Sequence, residues 1–144
     1  MKSNVDFMSD SHQPDAADLD LDLPDLATRV FDLARQGDTG ALAAYVDAGV
    51  PADLADDKGD SLIMLAACHG HLDAVRVLLE RGADPNRANA KGQTPLAGAV
   101  FKGAEKIARI LFGHGADPAT GTPSAIDAAA IYGRAEMVEL FLGK

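Results

Sequence analysis

Residues 61–82 read SLIMLAACHGHLDAVRVLLERG, and this stretch decides the fold. Ser61 is placed to cap the N-terminus of a helix, because a long apolar run without glycine follows it. Gly70 supplies the left-handed residue that ends this first helix. Residues 71–81 then place Leu and Val at spacings of three and four before Gly82, which predicts an amphipathic second helix. The stretch therefore predicts two short antiparallel helices followed by a polar turn.

Glycine recurs along the chain at a fixed interval. Two sets of three glycines are spaced by 33 residues: Gly37, Gly70 and Gly103, and Gly49, Gly82 and Gly115. Gly133 follows Gly103 by only 30 residues, which predicts that one connection in the last unit is three residues shorter. A pair of short helices cannot bury both of its apolar faces alone, so neighbouring units must stack. The period therefore predicts a solenoid built from one repeated helix pair.

The repeated unit resembles the ankyrin repeat, a family with this period and a Thr-Pro-Leu-His signature. The third unit carries most of the signature in residues 91–96 (KGQTPL), and residues 115–118 (GADP) follow its second helix. The second unit carries residues 70–72 (GHL) and 78–84 (LLERGAD), which are near the family consensus. The first and last units are degenerate, as expected of units that each expose one face to water.

The resemblance implies an all-α solenoid of paired antiparallel helices, with β-turn or hairpin fingers that project between units. It covers residues 26–144, divided into units at about 26–56, 57–89, 90–119 and 120–144. The signature histidine, which in this family links neighbouring turns, is replaced in all four units: Phe31, Met64, Ala97 and Asp127. We therefore expect the stack to depend more on packing and to be of modest stability. The implied function is that of a non-catalytic protein–protein interaction module or adaptor.

Residues 1–27 account for two-thirds of the net negative charge. The 144-residue chain has 22 Asp and Glu against 13 Lys and Arg, for a net charge of −9, and this segment contributes −6. Such acidity disfavours binding to nucleic acid and to anionic membranes. We expect residues 1–25 to form an acidic, disordered tail, because dense like charge opposes compaction. The alternation of Leu and Asp in residues 19–23 leaves open a second reading, in which the tail docks on the repeats and regulates binding.

The ankyrin architecture implies that the first helices of the units line a concave face, and we expect a protein partner to bind there. The residues just before each inter-helix glycine face this concavity: Arg35, Gln36, Cys68, His69, Phe101, Lys102, Ile131 and Tyr132. Lys58 and Lys91, at the predicted finger tips, complete the expected binding set. Aromatic residues dominate protein interfaces, which favours the aromatic end of this stripe. Two alternatives stay open: Phe101 and Ile131 partly pack between helices, and the charged tips are simply solvated.

Cys68, His69 and His71 place three potential metal ligands within four residues. A zinc site usually pairs such ligands with a second pair elsewhere. The other histidines are His12, in the predicted tail, and His114, which is predicted to lie about one repeat away. We expect no metal and no cofactor, and a metal or redox role through these three residues is the least favoured alternative. We also expect no enzymatic activity, because the glycines end helices and do not open a phosphate-binding loop after a strand.

A single cysteine, Cys68, excludes an internal disulfide framework and suits a reducing compartment. The start MKSNVDFMSD has no apolar segment typical of a signal peptide. The longest apolar run, Leu62–Cys68, is far shorter than the roughly 20 residues of a membrane-spanning helix. We therefore expect a cytoplasmic monomer, with room for weak self-association through the apolar residues 140–144.

Overall fold

Paired helices follow one another along residues 24–143, the part of the chain that the computed structural model describes. The helices are α1 (Pro24–Gln36), α2 (Thr39–Asp47), α3 (Leu62–Cys68), α4 (Leu72–Glu80), α5 (Pro95–Lys102), α6 (Glu105–Gly113), α7 (Ala125–Ile131) and α8 (Ala135–Leu142). Residues 24–143 contain no β-strand, although isolated bridges join Ala55 to Ser61 and Gly121 to Ser124. The predicted all-α solenoid of paired helices is confirmed.

The helices form two rows that follow the order of the units. The first helices of the pairs, α1, α3, α5 and α7, pack side by side as an inner row. The second helices, α2, α4, α6 and α8, form an outer row, and each packs against its own partner in the inner row. The core between the rows is made of short aliphatic and alanine side chains, such as Leu62, Leu78, Leu96, Ala99 and Ala129. Small side chains let neighbouring helices approach closely, which keeps the rows continuous.

A buried hydroxyl begins each of the last three inner helices. The Ser61 Oγ accepts a hydrogen bond from the backbone N–H of Met64 at 3.2 Å, as its position in the sequence predicted. Thr94 and Ser124 repeat this cap in the next two units, at 3.2 and 3.1 Å. These caps satisfy a donor at each helix start that burial would otherwise leave without a partner. The same turn geometry therefore recurs in units two to four.

The first unit departs from this pattern. Thr28 occupies the corresponding place in the sequence, but α1 has already begun at Pro24, so Thr28 lies inside the helix. The helix thus starts two residues before residue 26, where the sequence placed the boundary of the repeat domain. The predicted acidic tail and its 19–23 alternation lie outside the described residues, apart from Pro24 and Asp25 in the backbone of α1.

Gly70 forms part of the turn between α3 and α4. Its φ is +78°, in the left-handed region that glycine adopts without steric cost. The backbone N–H of the following His71 then bonds to the carbonyl oxygen of Ala66 at 2.9 Å, which turns the chain back along the helix it has just left. The prediction that this glycine ends the first helix of the unit is confirmed.

The fingers between units are tight turns built on Asx side chains. The Asp56 Oδ1 accepts hydrogen bonds from the backbone N–H groups of Lys58 and Asp60, both at 2.9 Å. Asn89 does the same for Lys91 and Gln93 in the next finger, at 2.9 and 3.0 Å. These side chains take the place of strand pairing, so each finger is a turn with at most an isolated bridge at its base. Adjacent fingers are joined by backbone hydrogen bonds, Ala90 N to Lys58 O and Thr122 N to Gly92 O.

The last unit has one open face. Phe141 is buried and packs against Phe112 of the preceding unit, with ring centroids 5.5 Å apart. Leu142 stays 51% exposed at the end of α8. The apolar C-terminal residues noted in the sequence therefore divide between the core and the surface.

Candidate functional site

The ends of the last two inner helices carry large apolar side chains that the core does not use. Phe101 is 61% exposed, Ile131 67% and Tyr132 46%. Phe101 and Ile131 are therefore at most partly packed between helices. Contiguous apolar patches exposed to water mark interaction surfaces, whereas single exposed apolar residues are ordinary.

Phe101 and Tyr132 contact each other across the gap between α5 and α7. Their ring centroids are 5.1 Å apart and the ring planes are inclined by 80°, which is an edge-to-face arrangement. This geometry places the positive edge of one ring against the negative face of the other and fixes the orientation of both. The pair therefore forms a preorganised aromatic wall that needs little further ordering when it is covered.

A groove of about 450 Å³ runs beside this wall, between α3, α5 and α7. The residues that line it are Met64, Cys68, Gln93, Ala97, Gly98, Phe101, Lys102, Pro123, Ala128 and Tyr132. Most of them are apolar or small. We call this feature the aromatic groove.

Gly98 determines how closely the helices approach at the floor of the aromatic groove. A Cβ atom at this position would lie 2.6 Å from the Cys68 Sγ, well inside van der Waals contact. Gly98 is not among the binding residues predicted from the sequence. A signal was present, because glycine inside a helix costs about 1 kcal/mol relative to alanine and calls for a packing reason.

The Cys68 thiol forms part of the floor of the groove. Part of the residue stays exposed, but its sulfur packs 3.6 Å from the Met64 Sδ. Desolvation raises the pKa of the thiol, the charge of Asp60 raises it further, and Lys102 opposes the shift. A raised pKa keeps the sulfur as the neutral thiol, which is a weak nucleophile and a poor metal ligand.

His69 and His71 are held by backbone carbonyl oxygens. The Nδ1 atom of His69 lies 2.9 Å from the Leu65 oxygen, and the Nε2 atom of His71 lies 2.6 Å from the Arg35 oxygen. The two imidazoles are nearly parallel, with centroids 6.5 Å apart. Between residues 24 and 143, no three His, Cys, Asp or Glu side chains group in a way that could hold a metal ion.

The structure divides the predicted stripe into two places. Cys68, Phe101, Lys102 and Tyr132 come together in the aromatic groove, whereas Ile131 lies beside it and does not line it. At the other end of the inner row, Arg35 and Lys58 border a separate cavity of about 600 Å³ with Phe31 and Asp56.

The remaining predicted residues take no part in either cavity. Gln36, His69 and Lys91 are exposed.

Arg35 forms a salt bridge with Asp32 at 2.7 Å and lies 3.8 Å from Asp56. Its charge is therefore largely matched within the first two units.

None of the helices between Pro24 and Leu142 combines the length and apolar character that crossing a membrane requires.

Comparison with known proteins agrees with the fold. The model of the ankyrin repeat family with three copies of the repeat matches residues 30–122. A Pseudomonas aeruginosa protein named for its ankyrin repeats is 44% identical over 70 residues, which are 49% of this chain. The matched part is only 39% of that relative, so the chain spans well under half of its length. Ankyrin repeats generally serve as protein–protein interaction modules. The match across most of the described helices shows that this chain belongs to the ankyrin repeat family.

Proposed function

We propose that this chain is a non-catalytic binding module that takes up a protein partner on the concave face of its inner helices, at the aromatic groove. The observation that carries the proposal is the exposed edge-to-face pair of Phe101 and Tyr132. Among the described residues, neither side chain belongs to the buried core. A binding role accounts for both.

The composition of the aromatic groove favours an interface in which a few side chains supply most of the binding energy. Aromatic anchors in a central, well-packed pocket contribute most of the binding energy of many interfaces, often 2 kcal/mol or more each. Lys102 adds a positive charge beside them, and it forms no salt bridge with any other residue from 24 to 143. The partner is therefore expected to present a large apolar side chain near a carboxylate.

The charged residues away from the groove have a secondary role in this proposal. Lys58 and Lys91 on the fingers, and Arg35 and Gln36 at the far end of the inner row, are exposed or partly exposed. Charges at the rim of an interface change association rate and partner choice more than affinity. Substituting them should therefore alter the salt dependence of binding while leaving most of the affinity.

A non-catalytic role agrees with the chemistry of Cys68. The raised pKa of its thiol and its packing against Met64 disfavour nucleophilic and metal-binding roles. Elemental analysis of protein purified without an affinity tag tests the metal or redox alternative directly. The cytoplasmic location and the monomeric state that the sequence suggests stay predictions.

The test removes the aromatic wall and leaves the fold in place. Proteins captured by the wild-type chain are identified by mass spectrometry, and each is then tested for binding to the Phe101→Ala/Tyr132→Ala chain. Leu142→Ala is the matched control, because it removes a similarly exposed apolar side chain far from the groove. We expect a true partner to bind the control as it binds wild type and to lose at least about tenfold in affinity for the double variant. A partner that binds both variants equally well would place the binding surface elsewhere.

A further inference from the structure

The aromatic groove has a chemistry that selects its occupant. Its floor combines the Met64 and Cys68 sulfur atoms with the bare backbone of Gly98, and its wall is the Phe101–Tyr132 pair. Polarisable sulfur and aromatic edges both favour an aromatic side chain. Lys102 is the one cationic side chain among the described residues that line the groove. The groove therefore fits an aromatic residue with a carboxylate next to it.

The chain itself contains such a sequence outside the described residues. Residues 5–8 read VDFM, in which Phe7 lies between Asp6 and the apolar Met8. A further carboxylate, Asp10, follows three residues later. This is the aromatic residue nearest to the N-terminus, and the next one, Phe31, is buried in α1.

The length of the intervening chain lets Phe7 reach the aromatic groove. Neighbouring helices pack about 8–10 Å apart, so α5 lies about 20 Å across the inner row from α1. Pro24 lies at the start of α1, whereas Phe101 lies near the end of α5, so the two are also displaced along the helix axes. With a rise of about 1.5 Å per helical residue, this displacement raises their separation to about 25 Å. Phe7 lies 17 residues before Pro24, and that many residues span up to about 56 Å when extended.

Residues 19–23 do not have this reach. Leu19 is five residues before Pro24, so it can lie at most about 17 Å from the start of α1. The Leu and Asp alternation can therefore contact the first two units, but it falls short of α5 and α7. Regulation of the aromatic groove by the acidic segment must involve residues nearer to the N-terminus.

We propose that Phe7 docks in the aromatic groove of its own chain, with Asp6 or Asp10 facing Lys102, and that a partner must displace it. The docking rests on the chemistry and reach described above. Its regulatory consequence rests on the proposed function, since occlusion matters only if the partner uses the same groove. The acidic segment then acts as an internal competitor that sets the threshold for binding.

The absence of tryptophan from the sequence provides a clean probe of this contact. Phe7→Trp introduces a single tryptophan into the full chain. Docking predicts a blue-shifted emission, and quenching by acrylamide about two-fold or more weaker than in a synthetic peptide of residues 1–18 with the same substitution. Adding Phe101→Ala and Tyr132→Ala should restore the peptide values, whereas adding Leu142→Ala should not.

A second measurement avoids any change in the size of the docked ring. Phe7→Ala in the otherwise native, isotopically labelled chain should shift the backbone amide resonances of Gly98 and Lys102. Leu21→Ala is the matched control in the same acidic segment, and it should leave both resonances in place. Tryptophan as exposed as in the peptide, together with unshifted amides, would overturn the proposal. The proposal would also be overturned if the tryptophan stayed shielded after loss of the aromatic wall, because the contact would then lie on another surface. Shielding that disappears on dilution would assign the contact to a second copy of the chain and would overturn the proposal as well.

Partner capture separates this inference from the proposed function. If both hold, Phe7→Ala should bind a groove-dependent partner several-fold more tightly than wild type. If the tryptophan of the Phe7→Trp chain is shielded but no captured partner depends on the groove, the docking stands and the proposed function is overturned. If a partner depends on the groove but the tryptophan at position 7 is exposed, the proposed function stands and the docking of Phe7 is overturned.

Discussion

The imidazole of His71 joins the second unit to the first through the backbone of Arg35. Its Nε2 atom lies 2.6 Å from the Arg35 carbonyl oxygen, and because a carbonyl only accepts, this nitrogen carries the hydrogen. The ring also packs over Gly37, where a Cβ atom would come within 2.5 Å of it. The contact satisfies a carbonyl at the C-terminus of α1 that the helix itself leaves free.

Replacing His71 should therefore loosen the first unit from the stack. His71→Ala is expected to reduce the free energy of unfolding by about 1–2 kcal/mol, since it removes a hydrogen bond and the packing over Gly37. His71→Asn serves as a polar control that is too short to make the same contact. Urea unfolding followed by circular dichroism measures the change. Equal stability of wild type and His71→Ala would show that the contact contributes nothing net.

The same link recurs between the last two units and is missing between the middle two. The Arg134 guanidinium donates from Nε to the Val100 oxygen at 3.2 Å and from Nη2 to the Phe101 oxygen at 3.3 Å. The corresponding residue of the third unit is Ala104, which has no group to donate. A surface cavity of about 580 Å³ lies there, bordered by Gly70, Leu72 and Ala104.

Ala104→His should supply the missing link. By the 36-residue offset between His71 and Arg35, the new imidazole would face the Cys68 carbonyl, with Gly70 beneath it as Gly37 lies beneath His71. We expect stabilisation of about 0.5–1.5 kcal/mol, the usual net value of one added hydrogen bond. Thermal and urea unfolding measure it, and Ala104→Leu controls for simple filling of the cavity. A gain from leucine equal to that from histidine would assign the effect to packing.

Gly98 and Cys68 should be energetically coupled. Alanine in place of glycine inside a helix normally stabilises by about 1 kcal/mol, but here the new Cβ atom would lie 2.6 Å from the Cys68 Sγ. Gly98→Ala is therefore expected to lose that gain in the wild-type background and to recover it with Cys68→Ala. A double-mutant cycle should give a coupling of about 1 kcal/mol. A second readout is the thiol itself, which should react faster with a disulfide reagent in Gly98→Ala because the methyl group displaces it from Met64.

The Arg81–Asp47 pair should make stability depend on pH in the acid range. The Arg81 Nε and Nη2 atoms donate to the two Asp47 carboxylate oxygens at 2.8 and 3.1 Å, and this hydrogen bonding lowers the pKa of Asp47. A carboxyl group with a lowered pKa in the folded state stabilises the fold fully above its unfolded pKa of about 4, and the contribution disappears as the pH falls through the folded value.

Asp47→Asn tests this pH dependence. The variant should unfold at a lower temperature than wild type at pH 7, and the difference should shrink as the pH falls below about 4 and the Asp47 carboxylate of wild type takes up a proton and loses its charge. Raising the salt concentration should reduce the difference at pH 7, because the pair is solvent-exposed. A difference that is constant from pH 7 to pH 2 would show that the charge of Asp47 is not its source.

Sequence and structure agree in units two to four for features that depend on neighbours along the chain. Ser61 could be identified as a cap from the apolar run behind it, and Gly70 as a helix end from its place in the period. Both assignments depend on hydrogen bonds that close within five residues. The first unit was harder, because α1 begins before its cap-like Thr28 and no other unit shows an equivalent start.

The expectation that the units rely mainly on packing was incomplete for a similar reason. The histidine of the signature is absent, but polar links reappear at other positions, such as Asn86, which contacts the third unit by donating to the Gly115 oxygen and accepting from the Asp117 N–H. Asn89 likewise donates to the Asp60 carboxylate of the neighbouring finger. Each of these bonds joins residues about 30 positions apart. No pattern within one unit reveals them.

The sequence by itself determined the helix pair, its period, its family and the row of residues that precede the inter-helix glycines. The tertiary structure decided which members of that row come together: Phe101 and Tyr132 contact each other, Ile131 lies outside the groove, and Arg35 belongs to a separate cavity. The difference arises from how far apart in the sequence the interacting residues lie. Helix formation and capping depend on residues three or four positions apart, whereas the aromatic groove depends on how closely neighbouring units stack, and that spacing is set by contacts such as the one between Gly98 and Cys68.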